Sequence, residues 1–521
     1  MTRRGWVGVA VLALWAVALG WHVQREYFEP ELTRLARATL DLEPGTHFYL
    51  LSMGERTVGT ASSRLDTIPG GFSVEDQMIL GLVTLGQAGD AITNTRVELD
   101  RALQMRSFRF RLTSDDGDFG AEGEVSGDSL LVVRVQAAGA EPEEVTFRVD
   151  EAPLFAAALP IRLAKGGELQ VGRSLRIPVF DPSTVSTRTV EIQVLEEDVL
   201  VLPDSAGVDP ETGRWSPVGE REVRAWRISE DFGGIRTESW VDEDGRVVRA
   251  SSPMGFSMER MPFELARQAR DDEVGRRTTD PAGGDILFST AIEARTSGGE
   301  AVPSGRELAG RDHLRYVLSG LPPEGDFDLE GGRQELRGDT LDVRREELAS
   351  LDPGYSLPYP RMDLAEALRP EPLIQSGHES IREVSARVVG PAGGDPVEAA
   401  RRINDFVFDL LDKEITLAVP SALQVLETRR GDCMEHTTLY LALARAAGLP
   451  ARAAVGLVHL DGRFFYHAWP EVWLGEWVAM EPTFGEAPAG ATHLRFLTGS
   501  LARQVEVAQL IGTLDLELIL P

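Results

Sequence analysis

Cysteine is the scarcest residue of this chain, with one, Cys433, in 521 positions. A single thiol excludes an internal disulfide framework, and so the cysteine count says nothing about redox compartment. Positive charge is the second shortage. Lys and Arg number 53 against 83 Asp and Glu, giving a formal net charge of −30 and a pI near 4.7. That balance argues against a nucleic-acid partner and against attraction to an anionic membrane surface. Lysine itself is nearly missing, Lys165 and Lys413 standing alone, which reads as genome composition rather than function. Internal repeats and low-complexity tracts are absent, so nothing suggests a repeat architecture.

What is present is a globular composition. At 521 residues and 42% hydrophobic, the chain is long enough for about three domains. Arg3 and Arg4 precede a charge-free apolar run from Gly5 to Trp21. That length lies at the lower edge for a membrane span and is slightly long for a signal-peptide core. Ala16-Val17-Ala18 offers a cleavage pattern, but Trp21 and the lack of a polar region before it favour an uncleaved anchor. Residues 1–25 are therefore expected to be a signal anchor or signal peptide. The flanking arginines keep the N-terminus in the cytoplasm and place the bulk outside it, in the cell envelope.

A short amphipathic helix is expected from about Tyr27 to Asp41, and β structure from there to about Glu264. HFYLLSMGERTVGTASSRL alternates across Gly54-Glu55, MRSFRFRLTSDDGDFGAEGEVSG across Asp116-Gly117, and ESWVDEDGRVVRASS across Asp244-Gly245. Such hairpins in series predict a large antiparallel sheet or open barrel over 26–265. The acidic cluster Asp115, Asp116, Asp118 fits no calcium-loop spacing and reads as a solvated turn. Residues 266–284 are charged and lack an apolar period, hence linker. A small β-sandwich is expected over 285–350, a second linker over 351–372, and a last domain over 373–521. In that domain GDPVEAARRINDFVFDLL is an amphipathic helix pattern, with Ala399, Ile403, Phe406 or Val407, and Leu410 on one face.

The chemistry concentrates between Arg429 and Thr483. Cys433 follows Gly431-Asp432 at the start of a helical pattern in which Leu439, Leu443 and Ala447 share one face, and Gly448 with Pro450 stops it. Asp432 as N-cap puts the sulfur in the first turn, where free N–H groups and the helix dipole favour a thiolate. His467 lies in the strand-like run Phe464 to Trp473, and Glu481 ends another, Glu476 to Met480, just before Pro482. A thiol, a histidine and a carboxylate in this order make a nucleophile, a base and an orienter. A lone cysteine is more often a small buried hydrophobe, and a strand histidine more often a core residue. The three blocks together outweigh those readings.

In these residues the chain resembles the transglutaminase-like superfamily of papain-like thiol enzymes, through GDCMEHT with ALARAAGLPARAAVG, through YHAWPEVW, and through EWVAMEPTFG. The fold expected is therefore two β-rich domains, read from the strand patterns, ahead of the α+β catalytic domain that the resemblance implies. The resemblance puts the family's cysteine on Cys433, its histidine on His467 and its aspartate on Glu481. The last is a departure, since this chain reads Glu-Pro-Thr where the family reads Asp-Pro-Thr. The implied activity is that of a cysteine acyltransferase or peptidase, acting on a protein or peptide substrate with no cofactor and no metal. The alternative is a decayed enzyme domain serving as an envelope binding or scaffold protein. For the oxyanion the backbone N–H of Cys433 is the default donor and Gln424 a side-chain candidate. Trp469, Trp473 and His436 are candidates for a substrate groove. Cys433 and His436 lack the second ligand pair that a zinc site needs. Oligomeric state is not legible.

The topology is testable first. Fractionation should leave full-length protein in the membrane, and external protease should remove everything past about residue 25. A soluble mature form starting near Leu19 would show a cleaved signal instead.

Overall fold

The alternating stretches between residues 45 and 261 pair into one 15-stranded sheet. The computed structural model describes residues 31–520 apart from 85–86, 128–129, 138–141, 149–153, 183–184, 233–234, 253–254, 280–289, 300–301, 323–326, 417–418, 420 and 500–502. The apolar run 5–21, and with it the anchor expectation, lies outside the described residues. Among the described residues no helix is long and apolar enough to cross a membrane.

Strands follow one another outward from Gly45–Met53 to Glu143–Arg148, and backward from Phe256–Met261 to Ser174–Asp181. Gly45–Met53 pairs antiparallel with Phe256–Met261 and so joins the two runs. Within this sheet the only parallel pair is Leu154–Phe155 on Val179–Phe180. The three hairpins expected from sequence are all present, with Gly54 and Gly245 at positive φ in their turns. Gly245 is doubly constrained, because a Cβ there would stand 2.3 Å from Ile161 Cα. Ile161 belongs to the segment Ala156–Lys165, which packs on one face of the sheet and buries Ala158, Leu159 and Leu163 in its core. The helix expected near residues 27–41 is Glu31–Ala38 with a 3-10 turn to Asp41, and it buries Leu35.

Two expectations need correction. Most of 266–284, expected as linker, is helical, in a helix running Phe263–Thr279. Its low amphipathicity hid it, since polar as well as apolar residues dock: Phe263 packs on Phe48 at 4.9 Å, Ala266 and Glu273 are buried, Gln268 bonds the Trp215 backbone and Asp272 pairs with Arg214. The helix also carries intrahelical ion pairs such as Arg267–Asp271 and Arg276–Glu273. Residues 285–350 are likewise not a self-contained sandwich. Their strands His313–Ser319, Thr340–Arg344 and Gln334–Arg337 form one sheet with the C-terminal strand Asp515–Ile519. Ile292–Glu293 pairs instead with the strand that carries His467. Leu314, Tyr316, Leu341 and Val343 then share one core with Leu439, Leu457 and Phe464. The separation failed because the strand that completes this sheet lies about 200 residues downstream, a pairing no local pattern reports.

The last part is α+β. Helices Glu379–Val389, Pro396–Leu410 and Ala422–Thr428 pack around the helix Cys433–Ala446. That helix also lies on strands Ala451–Leu460 and Arg463–Trp473, whose sheet is extended by His493–Gly499 and Trp477–Ala479. The sequence gives the helix one apolar face, but every residue from Glu435 to Arg445 is buried. It stops at Gly448, whose φ of +77° and contact with Pro358 (2.4 Å from an added Cβ) admit only glycine.

His459, on strand Ala451–Leu460, is buried beside Phe464 with both ring nitrogens unpartnered. Burial holds its pKa down at about 4. The unfolded chain takes up this proton below its usual value of ~6.5, and the folded chain only near 4, so stability should fall as pH drops through that window. His459→Phe should flatten the dependence of Tm on pH between about 6.5 and 4, as read by circular dichroism melts. An unchanged slope would remove His459 from the acid response.

Candidate active site

The site begins with a capping motif. Asp432 caps the helix Cys433–Ala446, accepting the Met434 N–H at 2.9 Å, and its own N–H donates to Glu435 Oε2 at 2.9 Å. Glu435 is buried and also accepts from Thr416 Oγ1 at 2.6 Å. Burial and the neighbouring Asp432 push its carboxyl well above the usual range. Gly431 is required here, because a Cβ would stand 2.2 Å from Glu435 Cβ. The Asp432-x-x-Glu435 spacing was a readable signal for this box, and the sequence reading used only its first member.

Cys433 therefore opens the helix, half-buried. One turn later Thr437 Oγ1 donates to Ala468 O at 3.1 Å, and the Ala468 N–H donates toward the Cys433 sulfur. The thiol is thus clamped against the residue that follows His467. The helix terminus does not by itself give the depressed thiol expected from sequence. Desolvation pushes the Cys433 thiol up, the charges of Asp432, Glu435 and Glu481 push the same way, and the Ala468 N–H only partly opposes them. A thiolate at this position needs a proton acceptor beside it.

His467 is held on three sides. Phe484 stacks on its ring at 5.1 Å and 11°, and Trp469 lies at 6.0 Å and 25°. Its Nε2 is 2.7 Å from Glu481 Oε2. With Nε2–H donated to a carboxylate, Nδ1 is the nitrogen left to take a proton from sulfur.

Glu481 is completely buried, and both of its oxygens are used. Oε2 accepts from His467 and, at 2.8 Å, from His493 Nε2. Oε1 accepts the N–H groups of Thr483 at 2.9 Å and Phe484 at 3.3 Å. Burial raises the carboxyl, but charge and hydrogen bonding from the two imidazoles outweigh it and hold it well below the usual range. His493 is lowered by burial, despite the opposing bond to Glu481, so it serves as a neutral donor. Sequence reasoning missed this residue, since His493 stands in an apolar strand with no motif around it. His467, Glu481 and His493 are also the only cluster of metal-ligand types among the described residues. Their mutual hydrogen bonds account for its tightness.

The remaining candidates divide. Asp432 takes the Met434 and Glu435 N–H groups, leaving the Cys433 N–H as the first-turn donor open to an oxyanion. Gln424 is buried on Ala422–Thr428, and its Oε1 has no hydrogen-bond partner. His436 and Trp469 are corrected as groove residues, because both are fully buried and offer no surface to a substrate. His436 Nδ1 lies 2.6 Å from Asp432 O, and burial lowers its pKa. Trp469 sits among Ala454, Ala479 and Ala489 behind the catalytic histidine candidate. Trp473 packs on Trp477 at 5.5 Å, six residues further along the strand from His467, roughly 20 Å away.

Residues 382–482 match the transglutaminase-like superfamily, so a transglutaminase-like domain lies there. No protein of curated function matches the chain. Among solved structures, a β-barrel-like protein of Brucella abortus, of a domain of unknown function, is 13% identical. It covers 42% of this chain and 95% of its own, with a TM-score of 0.32. The periplasmic domain of TgpA from Pseudomonas aeruginosa, solved with ethylmercury, is 17% identical over 39% of this chain and 93% of its own, with a TM-score of 0.24.

The His493–Glu481 bond can be weighed directly. His493→Phe keeps a ring but removes a donor to a buried carboxylate, which should cost about 1.5–3 kcal/mol of stability. Alkylation of Cys433 by iodoacetamide at neutral pH should slow several-fold, roughly 1 kcal/mol in rate. Unchanged stability and labelling would mean that His493 neither supports nor orients Glu481.

Proposed function

We propose that the chain is an exported, membrane-anchored envelope protein whose transglutaminase-like domain transfers acyl groups through a thioester on Cys433. The observation that supports this reading is the His467–Glu481 bond, which commits one ring nitrogen and leaves the other for a thiol, together with the Ala468 N–H, from the residue next to His467, that donates toward the Cys433 sulfur. In this reading His467 Nδ1 takes the thiol proton, and the buried Glu481 carboxylate steadies the imidazolium that forms. The thiolate attacks a carboxamide or peptide carbonyl, a C–S bond forms, and the oxyanion is met by the Cys433 N–H. The C–N bond then breaks, with the leaving amine taking the proton back from His467. Water or a second amine attacks the thioester and regenerates the thiol. Hydrolysis of a protein or peptide is the preferred second half-reaction for an envelope protein, ahead of cross-linking.

The rival reading is a decayed enzyme domain retained as a scaffold. The raised thiol of Cys433 favours it, because without proton transfer to His467 the sulfur stays neutral and inert.

Single-turnover acylation of Cys433 by an activated amide or ester separates the two. Cys433→Ala and His467→Ala should each lower the rate at least about a thousandfold, and the double variant should add little, since the two act as one unit. Glu481→Gln should cost roughly a hundred- to ten-thousandfold. Glu481→Asp should cost about tenfold, because the shorter side chain cannot span both imidazoles and the two loop amides. Equal rates for Glu, Gln and Asp at 481 would reduce the site to a dyad. No acylation of the unaltered protein would leave the scaffold.

A further inference from the structure

The space beside the 15-stranded sheet is not filled. Between its strands and the segment 156–165 lies a cavity of about 750 Å³, toward the upper end of the ~300–1,000 Å³ usual for small-molecule sites. Its wall is mainly apolar, with Tyr49, Leu65, Val74, Phe110, Phe155 and Met258 among the contributors. Strand register explains the one polar stripe across it. His47, Ser63, Asp76 and Thr95 stand directly opposite one another on four adjacent strands, and so point to the same side of the sheet. On the facing strands Glu230 is opposite Thr237, with Ser239 two residues on.

Two acids in this wall meet only hydroxyl groups. Asp76 bonds to Ser63, and its Oδ1 is buried without a partner. Glu230 Oε2 accepts from Ser239 Oγ at 3.1 Å. Burial raises both carboxyls. Elsewhere in the wall charge is compensated, as where Asp244 pairs with Lys165 at 2.8 Å and with Arg246 at 3.7 Å.

We propose that this cavity binds a single-chain aliphatic amine, its alkyl chain against the apolar wall and its ammonium taken up by one of the two buried carboxyls of that wall, Asp76 or Glu230. A fatty carboxylate would bring a third acid to two uncompensated ones, and an alcohol would leave both as they are. An ammonium lets the carboxyl it meets ionise against an opposite charge, which offsets the desolvation that group otherwise bears. The alkyl chain gains roughly 0.8 kcal/mol for each buried methylene. The inference concerns the β-sheet domain alone and stands independently of the chemistry at Cys433.

Calorimetric titration of the full chain with octylamine, octanol and octanoate tests it, with three sequences compared. Octylamine should bind at least about tenfold more tightly than either other probe. The isosteric double variant Asp76→Asn, Glu230→Gln should lose that advantage and still bind octanol. Ala61→Trp, which fills the cavity beside Tyr49 and Met78, should bind none of them. Circular dichroism should show both variants folded, and Cys433 labelling should be unchanged in both. Equal binding by unaltered protein and Ala61→Trp would overturn the site, since only non-specific uptake would then remain. Octanoate or octanol binding as tightly as octylamine would overturn the assignment of its ligand.

Discussion

A fully buried carboxylate is the constraint on which the candidate active site depends. An ionised Glu481 alone in that interior would cost several kcal/mol. Two imidazoles and two backbone amides meet it instead, so its four hydrogen bonds fix three parts of the chain at once. The strand of His467, the strand of His493, and the loop from Thr483 to Phe484 all converge on one group. Phe484 then lies over the imidazole, so the loop that satisfies the carboxylate also covers the base. The longer side chain of glutamate suits this duty, since one oxygen reaches back to its own loop while the other spans two rings.

The nucleophile side is held by a second buried acid. Glu435 closes the capping box and reaches Thr416, which ties the start of the cysteine helix to the chain ahead of it. The carboxyls of Asp432, Glu435 and Glu481 all push the Cys433 thiol up, which works against a thiolate. The helix terminus alone therefore does not favour a thiolate, and the chemistry proposed above depends on proton transfer to His467.

A third buried charge cluster joins the two sheets of the C-terminal region. Glu471, four residues beyond His467 on the same strand, is bonded by Arg452 at 2.7 Å and Arg495 at 3.1 Å. Arg495 in turn donates to Asp328 and to the carbonyls of Glu330 and Gly331, and Gln334 bonds its backbone. The small sheet thereby braces the strand that carries the base. Breaking one partner of such a network leaves a buried charge uncompensated, typically about 3–5 kcal/mol.

By itself the sequence determined the parts whose cause is local. Period-two alternation and turn residues specify the hairpins, Asp432 marks a helix start, and the spacing of Cys433, His467 and Glu481 names the candidate site. Tertiary structure decided what depends on distant partners. The C-terminal strand completes a sheet begun near His313, which turned an expected separate domain into part of one core. His493 acquires its role only because its strand lies beside Ala451–Leu460, where register brings it to Glu481. Trp469 and His436 are walled in by neighbouring elements, and that burial could not be read from their own sequence contexts. The direction of the Cys433 thiol was set the same way, because desolvation and carboxylates from three places reach it only in the folded chain. Local pattern fixes what a segment is, whereas burial and charge depend on what folds against it.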